Sequence, residues 1–192
     1  IVERAVLRVE LSPEEVVQYG MSFGVGLIPR AIELTHSLFP HGRAQGVFGS
    51  GVIVGTLITR AAFNATDGIL TPDRIAICLD DQAVEQEEFH LVIATTLDRF
   101  FLKIRPFWGQ EAAPVRFTAI AAGVSHPLTT AMRVLRGRPP RVTDSTGYMS
   151  RNVRHAELRL DCGLALDGEM FAPQPGRIVR IAADQRLRFV RV

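Results

Sequence analysis

The chain has 192 residues, of which 47% are hydrophobic, and its 22 basic and 20 acidic side chains leave a formal charge of +2. That length and apolar content support one domain, residues 1–192, with a sizeable core, and exclude the disordered class. Cys78 and Cys162 sit in separate apolar segments without Cys-x-x-Cys spacing, so neither a disulfide framework nor a zinc site is expected and a reducing, cytoplasmic compartment is the default.

Ile1 opens the chain without an initiating Met and without a signal peptide, which suggests a piece of a longer protein. Val2 to Val9 and Val16 to Phe23 read as strands, and Ser12 to Glu15 between them fits a turn or a short capped helical turn. Leu27 to Leu38 has helical spacing and is stopped by Phe39-Pro40-His41-Gly42. Gly24 and Gly26 precede that helix, but Pro29 occupies the third site of G-x-G-x-x-G, so a nucleotide loop is only weakly indicated. Gly46 to Phe63 is the most apolar stretch, yet its uncharged run from Ala44 to Thr59 is too short to span a bilayer; a buried helix is expected.

Asn64 to Pro72 reads as a loop, Arg74 to Leu79 as a strand turned by Asp80-Asp81, and His90 to Thr96 as a β-branched central strand. Phe100 to Phe107 interleaves Lys103 and Arg105 with bulky apolar residues. Single-stranded nucleic acid would suit such a pattern, but a buried strand with snorkelling Lys103 is the preferred account, and no nucleic-acid partner is expected. Val115 to Ala121 reads as a strand and Pro127 to Leu135 as a helix, after which strands are expected at Tyr148 to Leu160, Ala165 to Leu166, Arg177 to Ile181 and Leu187 to Val192. Arg177, Arg180, Arg186, Arg188 and Arg191 are expected on a solvated edge strand.

The chemistry narrows by elimination. Five scattered histidines include no H-E-x-x-H, and no serine stands in a G-x-S-x-G elbow, so zinc enzymes and serine or cysteine hydrolases recede. Asp167-Gly168-Glu169 remains, between an apolar approach and a Pro-rich exit. Asp-Gly is a favoured hairpin dipeptide, so the tripeptide can be no more than a turn with exposed acids. In an extended chain the two carboxylates would instead share one face, where they could hold Mg²⁺ or serve as a general base on an alcohol in phosphoryl transfer.

Leu166-Asp167-Gly168-Glu169, the strand at Ala156 to Leu160, the glycine-rich turn within Tyr19 to Arg30, Ile93-Ala94-Thr95-Thr96 and Leu102 to Gly109 together resemble the diacylglycerol kinase and sphingosine kinase-like lipid kinases over most of the chain. The resemblance implies a mainly β domain with helices (α+β), largely a two-layer sandwich. Two helices are expected in the N-terminal third and one between later strands. It further implies a partner nucleotide-binding domain, ATP and Mg²⁺ as cofactors, and a lipid hydroxyl as acceptor at the cytoplasmic membrane surface, with a homodimer as a further option. Asp167 matches the family's general base, Glu169 the assisting acid and a metal contact, and Lys103 and Arg105 are candidate substrate contacts. Two departures stand out. Gly-Gly-Asp-Gly-Thr, the nucleotide-domain signature, is nowhere in the chain, and Ala113-Pro114 runs directly into Val115 without the family's Asp-Gly. The alternative is a non-catalytic lipid- or protein-binding β-sandwich.

Overall fold

The computed structural model describes residues 2–13, 15–38, 71–100, 104–124, 130, 133–140 and 147–189. Twelve strands and one helix are assigned among them. In chain order they are β1 (Val2–Ser12), β2 (Val16–Gly20), β3 (Ser22–Gly26), α1 (Leu27–Leu38), β4 (Asp73–Leu79), β5 (Gln82–Ala83) and β6 (Glu88–Thr95). These are followed by β7 (Val115–Ala121), β8 (Tyr148–Val153), β9 (His155–Leu160), β10 (Leu164–Leu166), β11 (Glu169–Phe171) and β12 (Arg177–Phe189).

All strand pairs are antiparallel, and they fall into two halves. One half runs β5-β4-β9-β12-β1-β2 and the other β11-β10-β3-β6-β7-β8. They join where the start of β4 pairs with β6 through Asp73 opposite Phe89 and Arg74 opposite Glu88. Alternation decides which residues point inward. Leu7, Val9 and Leu11 of β1, Phe23 and Val25 of β3, Ile75 and Ile77 of β4 and Phe117 of β7 belong to one continuous buried cluster, so the curled sheet closes on a single core.

Two of the crossings between halves are single-residue breaks, Met21 between β2 and β3 and Arg154 between β8 and β9. Each break interrupts a run expected to be one strand. Conversely, Arg177 to Val192 was expected as two strands, but β12 continues from Arg177 to Phe189, because β1 pairs along its length and absorbs a register shift between Val6 and Arg8.

Three other expectations change. Ser12 is not a helix cap: it ends β1 opposite Ile178, and Leu11 pairs with Val16 across a tight connection. Residues 104 to 114 form no strand; they are an irregular strap, since the Thr118 hydroxyl donates to the Pro106 carbonyl (2.7 Å) and the Trp108 N–H donates to Ser150 Oγ (3.1 Å). The C-terminal arginines line an edge only in part. As far as Ala182 β12 lies between β9 and β1, and Arg177 there is 7% exposed, with its guanidinium donating to Gln174 Oε1 and to the Ala172 carbonyl. Beyond it Arg186 and Arg188 are exposed on a segment paired with β1 alone, and Arg191 lies outside the described residues. Arg180 and Arg188 pair with Glu157 and Glu3.

Of the expected helices, α1 is present with the bounds anticipated. The Gly46 to Phe63 stretch lies outside the described residues, and of Pro127 to Leu135 the structure describes helical backbone only at Thr130, Arg133 and Val134. Among the described residues the protein is therefore mostly β with one assigned helix, and no helix there is long and apolar enough to cross a membrane.

Candidate functional site

Asp167 and Gly168 form the two-residue loop of the β10–β11 hairpin, with Leu166 opposite Glu169 and φ of +49° and +91° at the loop residues. Two positive φ values mark a type I′ turn, which Asp-Gly adopts readily. Of the two geometries expected for the acids, the two-residue turn with exposed acids is the one present, not an extended segment. Asp167, Gly168 and Glu169 are all exposed at its tip.

The turn does not hang free. Asp167 Oδ1 accepts the Met21 N–H (3.0 Å), the Ser22 N–H (2.8 Å) and the Ser22 hydroxyl (2.9 Å), and Oδ2 also lies 2.9 Å from the Met21 nitrogen. In return the Asp167 N–H donates to the Ser22 carbonyl at 2.8 Å. The break at Met21 creates this seat, because leaving the sheet ladder turns two successive backbone donors toward the hairpin. Gly20 makes room for it: a Cβ there would stand 2.9 Å from Asp167 Oδ2 and 2.8 Å from Leu166 Cδ1. Glu169 makes no recorded hydrogen bond among the described residues and faces solvent at the start of the edge strand β11.

The second corner is built alike. Asp80 and Asp81 form the loop between β4 and β5, with φ of +45° and +67°. Asp80 Oδ1 accepts the N–H groups of Arg154 (2.9 Å) and His155 (3.0 Å). An Asp at the first position of a two-residue turn therefore pins each of the two single-residue breaks.

A cavity of about 590 Å³ opens at the base of the hairpin, between α1 and the residues flanking β10 and β11. Its walls include Pro29, Arg30, Asp73, Cys162, Met170 and Phe171. Arg30 Nη2 is 2.7 Å from Asp73 Oδ1, while Asp73 Oδ2 is buried without a hydrogen-bond partner. Burial raises the Asp73 carboxyl, and the Arg30 guanidinium opposes that shift. Burial, then the charge of Asp73, push the Cys162 thiol up to about 11, which makes Cys162 an inert thiol at neutral pH.

The other expected site residues are elsewhere. Lys103 lies outside the described residues. Arg105 is exposed on the strap, whose anchors Thr118 and Ser150 belong to β7 and β8, three and four strand positions from β10. No recorded contact joins it to the hairpin. The suspected nucleotide loop has a packing role: Gly26, at φ +74°, sits where a Cβ would be 2.5 Å from the His90 carbonyl oxygen. Among the described residues no three His, Cys, Asp or Glu side chains gather to hold a metal ion.

No family model matches the sequence, and no curated protein matches it. Solved structures do. A diacylglycerol kinase from Bacillus anthracis strain Sterne is 8% identical, with a TM-score of 0.51 over 96% of this chain and 53% of its own. Two further structures from that strain, provisionally described as diacylglycerol kinases, give TM-scores of 0.56 and 0.52 at 9% and 11% identity. Each match covers 95% of this chain. The chain has a diacylglycerol kinase-like fold. It spans about half the length of the structures it matches, with 54% and 55% of the latter two covered. Identities this low show the fold alone. Within that fold Asp167 and Glu169 occupy an exposed, anchored hairpin tip, and the sequence reasoning that found them missed Gly20, Met21 and Ser22. A glycine interrupting the Val16 to Phe23 strand pattern was the one available signal, since such a residue marks a bulge or a close approach.

Proposed function

We propose that this chain is the acceptor-side half of a lipid kinase, presenting a carboxylate pair that receives the proton of a lipid hydroxyl as phosphate is transferred to it. The observation that carries the reading is the hairpin tip itself. Asp167 is fixed by donors from a neighbouring strand junction, and two residues on the Glu169 side chain has no partner among the described residues, on a diacylglycerol kinase-like fold. A general base must be positioned and must have a lone pair open to the substrate. Asp167 Oδ1 accepts three donors and Oδ2 shares the Met21 N–H, whereas the Glu169 side chain accepts none among the described residues, which favours Glu169 as proton acceptor and Asp167 as its anchor. The resemblance assigns the base to Asp167, so both carboxylates enter the test.

ATP and Mg²⁺ would supply the phosphoryl group and its charge neutralisation. They would have to be held chiefly by other residues of the parent protein, because the described residues offer neither a metal cluster nor a phosphate loop. The isolated chain is accordingly expected to be inactive, and the acceptor, a diacylglycerol- or sphingosine-like lipid, would be met from the cytoplasmic side of a membrane surface. In the parent, Glu169→Gln and Asp167→Asn should each lose lipid phosphorylation while staying folded; full activity in both would sink the assignment.

A rival reading has its own support. Asp80 pins the other corner with no active role proposed for it, so Asp167 could be a corner pin in a non-catalytic lipid- or protein-binding domain. Equal lipid binding by wild type and an Asp167→Asn/Glu169→Gln double variant, with no kinase activity in the parent, would favour that account.

A further inference from the structure

The two corners differ in what surrounds the pinning aspartate. Asp80 Oδ1 accepts two backbone N–H groups, and the His155 imidazole flanks it with Nδ1 at 3.5 Å. Asp167 receives the same kind of backbone pair plus the Ser22 hydroxyl at 2.9 Å, over a floor cleared of side chain by Gly20. The seat is also braced from behind. The Met21 carbonyl accepts the Thr95 hydroxyl (2.5 Å) and the Thr96 N–H (3.2 Å), and Thr95 Oγ1 accepts the Leu97 N–H at 3.0 Å. Met21 is thus tied through its amide to the hairpin and through its carbonyl to the end of β6.

The Asp80 corner is held by two amides with the His155 imidazole alongside, and no hydroxyl donates to Asp80 among the described residues. The extra hydroxyl and the glycine do something further: three donors converging on Oδ1, together with the close floor beneath Oδ2, fix the rotation of the Asp167 carboxylate. With the turn locked to the seat, Glu169 two residues on is held at a set distance from Ser22. We propose that Ser22 and Gly20 are positioning residues, which set the hairpin tip in the geometry that proton removal from the acceptor hydroxyl requires. This role rests on the phosphoryl-transfer reading above. It assigns a task to a serine and a glycine 145 or more residues from the aspartate they hold.

The test is steady-state kinetics of the full-length parent, with ATP and vesicles carrying dioctanoylglycerol or sphingosine. Ser22→Ala is expected to lower kcat on the order of tenfold to a hundredfold, the scale of a misplaced catalytic group. KM for the lipid should stay within about twofold, because ground-state binding is not what the seat provides. Ser22→Thr should recover most of kcat, and Gly20→Ala, whose new methyl meets Asp167 Oδ2, should lose as much as Ser22→Ala. Asp80→Asn is the control: it should lower the melting temperature and leave kcat unchanged. If Ser22→Ala does not fold, Ser22→Cys keeps the volume with a poor donor and reads the same quantity. A wild-type kcat in folded Ser22→Ala, or a loss matched by Asp80→Asn, overturns the positioning role alone. A wild-type parent inactive on both lipids overturns the phosphoryl-transfer reading and this role with it.

Discussion

Replacing Asp167 should cost stability by an amount that can be worked out from its partners. Asp167→Ala removes the acceptor of the Met21 N–H, the Ser22 N–H and the Ser22 hydroxyl. A buried bond to a charged acceptor contributes about 1.5 kcal/mol or more net, and rehydration of all three groups at this exposed tip reduces them to about 2 kcal/mol together. Alanine must also adopt the positive φ that Asp167 has, at a cost of about 1 kcal/mol. The total of about 3 kcal/mol corresponds to a melting temperature lower by about 6–12 °C in a domain of this size. Asp167→Asn tolerates the same φ and keeps one acceptor, so about 1 kcal/mol and about 2–4 °C are expected. Differential scanning calorimetry of the chain at neutral pH measures both. An Asp167→Ala transition within about 1 °C of wild type would refute the seat, since no three-donor anchor could then exist.

Two further outcomes follow from the titrating groups. Burial acts to raise Glu111, but the N–H of Asn152, with those of Glu111 and Gln110, outweighs it and the carboxyl is lowered. A lowered acid contributes stability above its unfolded value, near 4.3, that is lost as pH falls through the folded one. Glu111→Gln should therefore cost at most about 1 kcal/mol at pH 6, and urea titrations of the two proteins should converge toward pH 3; a deficit independent of pH would contradict the shift. Cys162, with its thiol raised to about 11, should react with iodoacetamide at pH 8 about a hundredfold more slowly than in the urea-unfolded chain, by thiolate fraction. Peptide mass spectrometry separates it from Cys78, and equal rates in the two states would refute the burial of that thiol.

Much of the strand content was legible because period-two alternation survives wherever one face is buried, as in Arg74 to Leu79 and Val115 to Ala121. The helix at Leu27–Leu38 was legible from its spacing and its stop. What failed shares a cause. The breaks at Met21 and Arg154, the continuity of β12 and the strap at 104–114 are imposed by partners distant in sequence: Asp167, Asp80, β1 and the Thr118–Ser150 pair. Apolar richness around Phe107 imitated a strand, but these partly buried side chains pack without strand pairing; the Phe107 ring lies 5.7 Å from that of Phe100. At the site, Asp-Gly announced a turn and the neighbouring glutamate suggested chemistry, but nothing local could reveal that Gly20, Met21 and Ser22 receive the aspartate. Of the two readings of Asp167-Gly168-Glu169, the turn prevailed over the extended face because Asp-Gly readily takes the two positive φ values.

The central claim is that the Asp167–Glu169 tip removes a proton from a lipid hydroxyl during phosphoryl transfer, and the most direct measurement is transfer of labelled γ-phosphate from ATP to dioctanoylglycerol or sphingosine by the full-length parent. The account predicts transfer by wild type and a loss of about 10²–10⁴-fold in kcat for Glu169→Gln, the range for a removed general base, with the fold intact by calorimetry. A folded Asp167→Asn/Glu169→Gln double variant that transfers phosphate at the wild-type rate would contradict it.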